Sequence, residues 1–369
     1  MYENKKRILT LLIIAAIVFS FFTIYIYSKD EMGISARSAA LYVPETETFL
    51  YKKRENERLS MASTTKIMTA FIALDTLEPD ALIEIPKEAV GIEGSSLYLE
   101  EGEILTANDL ILGLMLSSAN DAAVALAIEI SGSVSDFAIL MNEYARELSL
   151  YDTEFKNPHG LDEEGHFTTA HDLALLGAHA LENESFKNIS STRKAKIVSD
   201  RKERVLVNHN KLLERYSGAI GVKTGYTKKS GRSLVSAAER DGLTLVAVTI
   251  DAPDDWRDHT ALLDYGYSKL EKVYLAKSGE YSYKIPVYDG NKAYLTVSNK
   301  DELTKIFNKG DADFLVDVKL SRYTSAPIKK GAELGELVFT KDGIIIGNIP
   351  LLAEEDINKK ERRFFFKEG

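Results

Sequence analysis

Three short motifs carry the residue types that acyl transfer needs: Ser63-Thr64-Thr65-Lys66, Ser118-Ala119-Asn120 and Lys223-Thr224-Gly225. A serine hydroxyl is a poor nucleophile until a neighbouring base removes its proton. A lysine can be that base where burial or nearby cations lower its pKa. A second hydroxyl can pass the proton to a leaving group, and an amide can hydrogen-bond both the lysine and a substrate carbonyl. Lys and Thr on a strand edge can bind a carboxylate. No motif is specific alone. Ser-x-x-Lys recurs at Ser191 to Lys194, and Lys-Ser-Gly recurs at 229–231 and 277–279. Order, separation and local setting single out the first set.

The elements that must position these groups follow from periodicity. After Ser63, Ile67, Met68, Phe71, Ile72 and Leu74 recur at helical spacing, with neither Pro nor Gly before Pro79. Ser63 and Lys66, at i and i+3, then share a face of the first turn, with Ser63 at the positive end of the helix. Ser118-Ala119-Asn120 falls between apolar runs at 110–116 and 122–130, so it reads as a short connection between helices. Lys223-Thr224-Gly225 precedes two strand patterns, 233–238 and 243–250, joined by the hairpin signal Asp241-Gly242. The motif is expected on a strand beside that pair. Gly225 lets a substrate backbone approach closely. The N–H of Tyr226, with that of Ser63, can form an oxyanion hole. The duplicates lack such settings. Ser191 to Lys194 lies in a solvated, strand-like stretch rich in Lys and Arg, 229–231 falls in a turn, and 277–279 lies past the first domain.

The set resembles the serine-type D-alanyl-D-alanine carboxypeptidases, low-molecular-mass penicillin-binding proteins of the penicillin-recognising serine enzymes. Glu93-Gly94-Ser95-Ser96-Leu97, Ser118 to Ala123, Asn157-Pro158-His159-Gly160-Leu161-Asp162 and Gly221 to Thr227 carry the resemblance, which runs from about Ile34 to about Ile357. Better-known members can have histidine where this chain has Tyr226. The resemblance implies an α+β catalytic domain of the β-lactamase/transpeptidase type, with an antiparallel sheet and a helical region, at 34–272. It implies a small all-β, sandwich-like domain at 273–357. It also implies removal of the terminal D-Ala from peptidoglycan stem peptides. Ser63 would attack, Lys66 would take its proton, and Ser118, oriented by Asn120, would relay the proton to the leaving amine. Lys223 and Thr224 would hold the terminal carboxylate, and His159 would line the rim. β-Lactams would acylate Ser63, and no cofactor is needed. The rival uses of such a site are a β-lactamase and a non-catalytic penicillin-recognising wall-binding protein.

The rest of the chain agrees with an exported two-domain enzyme. Its 369 residues exceed one typical domain, and 45% apolar content suffices for packed cores. The absence of cysteine excludes disulfides and thiol chemistry. A net charge of −10 argues against nucleic acid as a partner. Lys5-Lys6-Arg7 precedes an apolar run from Ile8 to Tyr27, broken only by Thr10, Ser20 and Thr23. That is about the ~20 residues that cross a bilayer, and the preceding cations place the catalytic domain outside. Residues 1–33 are then a cytoplasmic stub, a membrane anchor at 8–27 and a linker. A cleavable signal peptide, giving a secreted protein, is the alternative; its apolar core is typically ~7–15 residues and ends at a small-x-small site. No such site lies beside this run.

Strands at 39–50 and 194–250 flank a helical centre from Ser63 to about Ala180, and a closing helix is expected at Leu262 to Leu270. That pattern suits one sheet built from both ends of the domain with helices packed on it. Short alternating strands follow at 281–287, 292–297, 314–320 and 333–339. The tail 358–369 mixes cations with consecutive aromatics and reads as a frayed terminus. His159, His166 and His171 lie near Asp162 and Asp172 without a His-Glu-x-x-His arrangement, so they read as surface or capping groups and not as a metal site. Arg257, in Asp255-Trp256-Arg257-Asp258, is a second candidate carboxylate clamp. Pairing with Asp254 or Asp258 at a helix start is its equal alternative.

Overall fold

The computed structural model describes residues 32–361. The apolar run at 8–27 and residues 362–369 of the tail lie outside the described residues. The chain forms two compact units: one runs to Arg240 and resumes at Thr244–Gly266, and the other comprises Asp241–Leu243 and the chain from Tyr267. The division falls at Gly266 and not at 272, because the strand that begins at Leu270 pairs with Leu303–Asn308 of the second unit.

In the first unit, β1 (Ser38–Val43) and β2 (Thr48–Lys53) flank a 3-10 turn at Pro44–Thr46. The helical centre holds α1 (Lys66–Thr76), α2 (Ala107–Leu116), α3 (Asn120–Ser131), α4 (Val134–Glu147), α5 (Ala170–Glu182) and α6 (Glu184–Ser191). A small antiparallel pair, β3 (Leu82–Glu84) and β4 (Ile104–Thr106), interrupts it. Side chains of Thr106, Ser133, Thr169 and Asn183 accept backbone N–H bonds at the starts of α2, α4, α5 and α6, as N-caps do. The hairpin of β5 (Lys194–Val198) and β6 (Glu203–Val207) follows, then α7 (Leu212–Arg215), β7 (Ala219–Thr227), β8 (Gly231–Arg240), β9 (Leu243–Ile250) and α8 (Asp255–Lys269).

The main sheet has the order β2-β1-β9-β8-β7. Its middle joins the two ends of the unit, with Ser38 opposite Ile250 and Tyr42 opposite Val246. This leaves β7 at the edge, where one side of its backbone is free to meet a ligand. Helix α3 is buried continuously from Asn120 to Ala127. Met68, Ile72, Leu110, Leu114, Leu126, Leu173, Val235 and Val246 share one core, so the helices that carry Lys66 and Asn120 are fixed by packing on most sides. Helix α8 begins seven residues before the expected Leu262. Asp255 accepts the N–H of Trp256, a start signal that apolar spacing does not reveal.

The second unit is all β, as expected. It contains β10 (Leu270–Ala276), β11 (Ser282–Tyr288), β12 (Tyr294–Ser298), β13 (Leu303–Asn308), β14 (Leu315–Leu320), β15 (Thr324–Ser325), β16 (Glu333–Lys341) and β17 (Ile344–Ala353). Six strands form one sheet, β14-β16-β17-β12-β11-β15, and β10 pairs with β13. Leu275, Ile285, Leu295, Val297, Leu337, Phe339 and Leu351 make its own core. The expected set lacked β10, β13, β15 and β17; the last, with the sequence IIIGNIPLLA, shows no clean alternation and carries a proline.

Candidate active site

Ser63 sits in a 3-10 turn, Ala62–Thr65, that runs directly into α1. In such a turn residues i and i+3 stack, and Lys66 Nζ lies 3.0 Å from Ser63 Oγ. The same Nζ lies 2.6 Å from Asn120 Oδ1 and 2.5 Å from the carbonyl of His159. Lys66 is fully buried. Burial first, and the nearby Lys223 cation second, hold its pKa well below the ordinary lysine value; Asp121 opposes them. A neutral amine has two N–H groups and one lone pair. Asn120 Oδ1 and the His159 carbonyl can only accept, so they take both N–H groups. The lone pair is then left facing the Ser63 hydroxyl.

Asn120 is the first residue of α3, and its Nδ2 donates to the carbonyl of Glu93. That bond fixes which side-chain atom faces Lys66. The two side-chain bonds of Asn120 thus go to Lys66 and the 93–99 loop, and not to Ser118. The next residue, Asp121, holds the same loop by accepting from Leu97 N–H, Leu99 N–H and the Ser96 hydroxyl. Ser118 is buried, has a φ of 60° and lines the cleft beside Ser63.

A second set of contacts holds the nucleophile turn from behind. His166 Nδ1 accepts the Lys156 N–H, so in the neutral ring Nε2 carries the proton and donates to Thr65 Oγ1, which in turn donates to the Ala62 carbonyl. Burial pushes the His166 pKa down to about 4, which keeps that ring neutral at pH 7. Thr69 donates to the Pro158 carbonyl. Gly160, with a φ of +84°, lies so close that a Cβ there would meet the Ala62 carbonyl oxygen at 1.9 Å. No side chain fits at that position.

On β7, Lys223 is 1% exposed and its Nζ donates to the Thr224 carbonyl. Burial lowers its pKa to about 7. Thr224, Gly225 and Tyr226 line a cleft of about 640 Å³ together with Ser63, Ser95 and Ser118. A Cβ on Gly225 would lie 3.1 Å from the Ser63 backbone nitrogen. Glycine is therefore what lets the strand edge reach the nucleophile turn. The remaining wall includes Arg193, His209, Asn210, Arg232, Asp255 and Trp256. The arrangement offers a nucleophile with its base, a second hydroxyl, and a strand edge along which a peptide can lie.

Comparison with known proteins decides the family. Residues 26–254 match the D-alanyl-D-alanine carboxypeptidase family model, and residues 270–359 match the penicillin-binding protein 5 C-terminal domain. The chain belongs to the D-alanyl-D-alanine carboxypeptidase family. D-alanyl-D-alanine carboxypeptidase DacF of Bacillus subtilis is 34% identical over 370 residues, which cover 96% of this chain and 95% of the relative. Penicillin-binding protein 5 of Haemophilus influenzae is similar in structure, with a TM-score of 0.65 and 27% identity over 88% of this chain and 98% of that one. The Streptomyces K15 DD-transpeptidase, at 34% identity and a TM-score of 0.60, covers 63% of this chain and 97% of its own.

Within this carboxypeptidase site, two residues stand elsewhere than expected. Arg257 is absent from the cleft lining. It pairs with Asp254 and Asp258 and donates to the Gly33 carbonyl, so the helix-start alternative describes it. Its neighbours Asp255 and Trp256 face the cleft instead, because successive helical residues point about 100° apart. The ring of His159 lines a different cavity, with Glu88 and Lys156, while its backbone carbonyl touches Lys66. Nothing in a sequence distinguishes a residue used through its carbonyl. His166 and His171 bond Thr65 and Asp172 respectively, and among the described residues no group of three His, Cys, Asp or Glu could hold a metal. The sequence signal for Arg232, Asn210 and Asp121 was absent, since each takes its place through long-range packing. The copies at Ser191 and Lys229 separate cleanly: Ser191 ends α6 while Lys194 begins β5, and Lys229 lies in the β7–β8 turn.

Proposed function

We propose that this protein removes the terminal D-Ala from peptidoglycan stem peptides through an acyl-enzyme on Ser63. The observation that carries the reading is Lys66 Nζ at 3.0 Å from Ser63 Oγ, with burial and the Lys223 cation holding its pKa well below the ordinary lysine value. Lys66 takes the Ser63 proton as Oγ attacks the carbonyl of the penultimate D-Ala. The developing oxyanion is stabilised by the N–H groups of Ser63 and Tyr226, across the close approach that Gly225 allows. Ser118 passes the proton to the nitrogen of the leaving D-Ala. Water then attacks the acyl group, its proton passing to Lys66 and from there to Ser63 Oγ as the C–Oγ bond breaks and the shortened peptide leaves. Asn120 and the His159 carbonyl orient Lys66. Lys223, shielded beneath the strand, acts on Lys66 through its charge, and Thr224 receives the terminal carboxylate. A β-lactam mimics the dipeptide and acylates the same oxygen. The Ile8 to Tyr27 run serves as a retained anchor, with the catalytic unit outside the membrane.

Two measurements on the purified protein test this. Labelled penicillin should leave one adduct, on the peptide carrying Ser63, and stem-peptide substrate should release free D-Ala. An adduct on Ser118 or Ser191 would overturn the mechanism. Rapid drug hydrolysis without D-Ala release would replace it with a β-lactamase.

A further inference from the structure

The loop that holds Asn120 has a second side. Ser95 lines the catalytic cleft, while Gly94 and Ser96, on either side of it, line another cavity of about 500 Å³. One stretch of chain therefore separates the two spaces. Tyr98 lines the second cavity, is 79% exposed and has a φ of 55°. A bulky residue seldom takes this left-handed conformation, and it persists only where the surroundings impose it. Here they do. Leu97 and Leu99 are buried and donate their N–H groups to Asp121. The Tyr98 N–H goes to Ser96 Oγ at 2.8 Å, and its carbonyl accepts from Lys202 Nζ at 3.2 Å and Arg204 Nη2 at 3.3 Å. The ring is thus held away from the core on a backbone fixed from both sides. Glycine or asparagine would meet the same backbone demand at lower cost, and a ring so exposed gives little to packing.

The chemistry around the ring selects its partner. An exposed aromatic face stacks on apolar C–H groups. Glu100 and Lys202, paired at 2.7 Å on the wall of the same cavity, present an acceptor and a donor beside it. A pyranose has that composition, an apolar ring face with a polar rim. A peptide strand is poorly served here, because the backbone N–H groups from Leu97 to Glu100 are all taken. The position is also right. Ser95 and Tyr98 are three residues apart, at most about 11 Å of chain. A stem peptide branches from a glycan strand, so a sugar lies a few residues from the bond that is cut.

We propose that Tyr98, with Glu100 and Lys202, binds a sugar ring of the glycan strand that carries the stem peptide, so that glycan-linked stems are preferred to free peptides. The proposal rests on the carboxypeptidase reading above.

The test uses the full chain and one stem pentapeptide ending in D-Ala-D-Ala, offered free and linked to its N-acetylglucosamine–N-acetylmuramic acid disaccharide. Wild type should show a KM lower by roughly 3- to 10-fold for the linked form, the size of one aromatic contact, with kcat alike. Tyr98→Asn removes the ring and keeps a residue that accepts the left-handed backbone. It should raise the KM of the linked substrate to that of the free one, leaving free-peptide turnover and penicillin acylation at wild-type rates. Tyr98→Phe should keep the advantage. Equal KM values in wild type, or an advantage that survives in Tyr98→Asn, would overturn the proposal. So would a Tyr98→Asn variant that slows both peptides and penicillin alike, since Tyr98 would then only support the loop. Calorimetry on Ser63→Ala separates sugar binding from the reaction. Tighter binding of the linked peptide, lost when Tyr98→Asn is added, upholds the sugar site even where wild type releases no D-Ala from either form, a result that would remove the carboxypeptidase reading alone.

Discussion

Two buried lysines a short distance apart explain how a base can exist at this site at all. Each is penalised for charge by burial, and the Lys223 cation adds to the penalty on Lys66. Penicillin acylation should therefore rise with pH along a limb centred well below the ordinary lysine value of about 10.4. Lys66→Arg, which cannot lose its proton, should stay inactive across the range. Lys223→Met should move that limb to higher pH, because the cation that depresses Lys66 is gone, and should cost roughly 10²-fold in turnover. Stability should respond in the opposite direction. The folded pKa of Lys223, about 7, lies below its unfolded value, so between pH 7 and about 10.5 the unfolded chain holds the extra proton. Stability then rises with pH across that window in wild type, and Lys223→Met should flatten the rise and be more stable at pH 7. A urea titration at pH 7 and pH 9 checks it; a variant less stable at pH 7 would contradict the sign. At this scale the sequence was legible for residue types and spacing. It was mute on burial: Lys223 is 1% exposed and stands outside the cleft lining.

The elements that aim these residues are held by contacts between segments far apart in the chain, and these were the least legible part. Helical and strand periods located α1, α3 and β7, because each has a continuous apolar face. They could not show that the β5–β6 hairpin grips the loop at 97–103. Arg204 forks onto both oxygens of Glu103, 101 residues away, and donates to the Leu97 carbonyl. The Glu103 side chain is fully buried. Burial alone would raise its pKa, yet bonds from Arg204 and other donors bring it down to about 2. Arg204→Ala should leave that carboxylate uncompensated and cost about 3–5 kcal/mol, read as a drop in denaturation midpoint. The loop it grips also donates from Leu97 and Leu99 to Asp121, the neighbour of Asn120, so acylation should slow as well. Acid acts on the same pair: stability from Glu103 is complete above its unfolded value near 4.5 and is lost as pH falls toward 2. Gly160 makes a sharper test of the turn behind Ser63. Gly160→Ala would drive a methyl into the Ala62 carbonyl from a left-handed backbone. It should destabilise by about 1–3 kcal/mol and, because Ala62 precedes the nucleophile, reduce penicillin acylation far more than that loss explains. Normal acylation in a merely destabilised protein would mean that the 157–161 segment supports the fold and not the site.

For the whole molecule, the two units each close a core of their own, and the chemistry resides entirely in the first. Fold class was legible because strands bracket a helical centre in one unit and recur at short intervals in the other. The exact division was not, since β10 continues almost directly from α8. Among the described residues no single helix is long and apolar enough to cross a bilayer. The anchor proposed above is the Ile8 to Tyr27 run behind Lys5, Lys6 and Arg7. A run of this length gains enough from burial in lipid that salt, which screens only electrostatic attachment, should not release it. The full chain should stay with membranes after a high-salt wash, keep its first residue and label with penicillin on the outer side of intact cells. Proteolysis near Lys29 should free a soluble fragment that still acylates, because the described residues of the catalytic unit begin at Met32. A mature N-terminus between Lys29 and Ala40 on protein taken from cells would show that the run is removed as a signal, leaving a secreted enzyme.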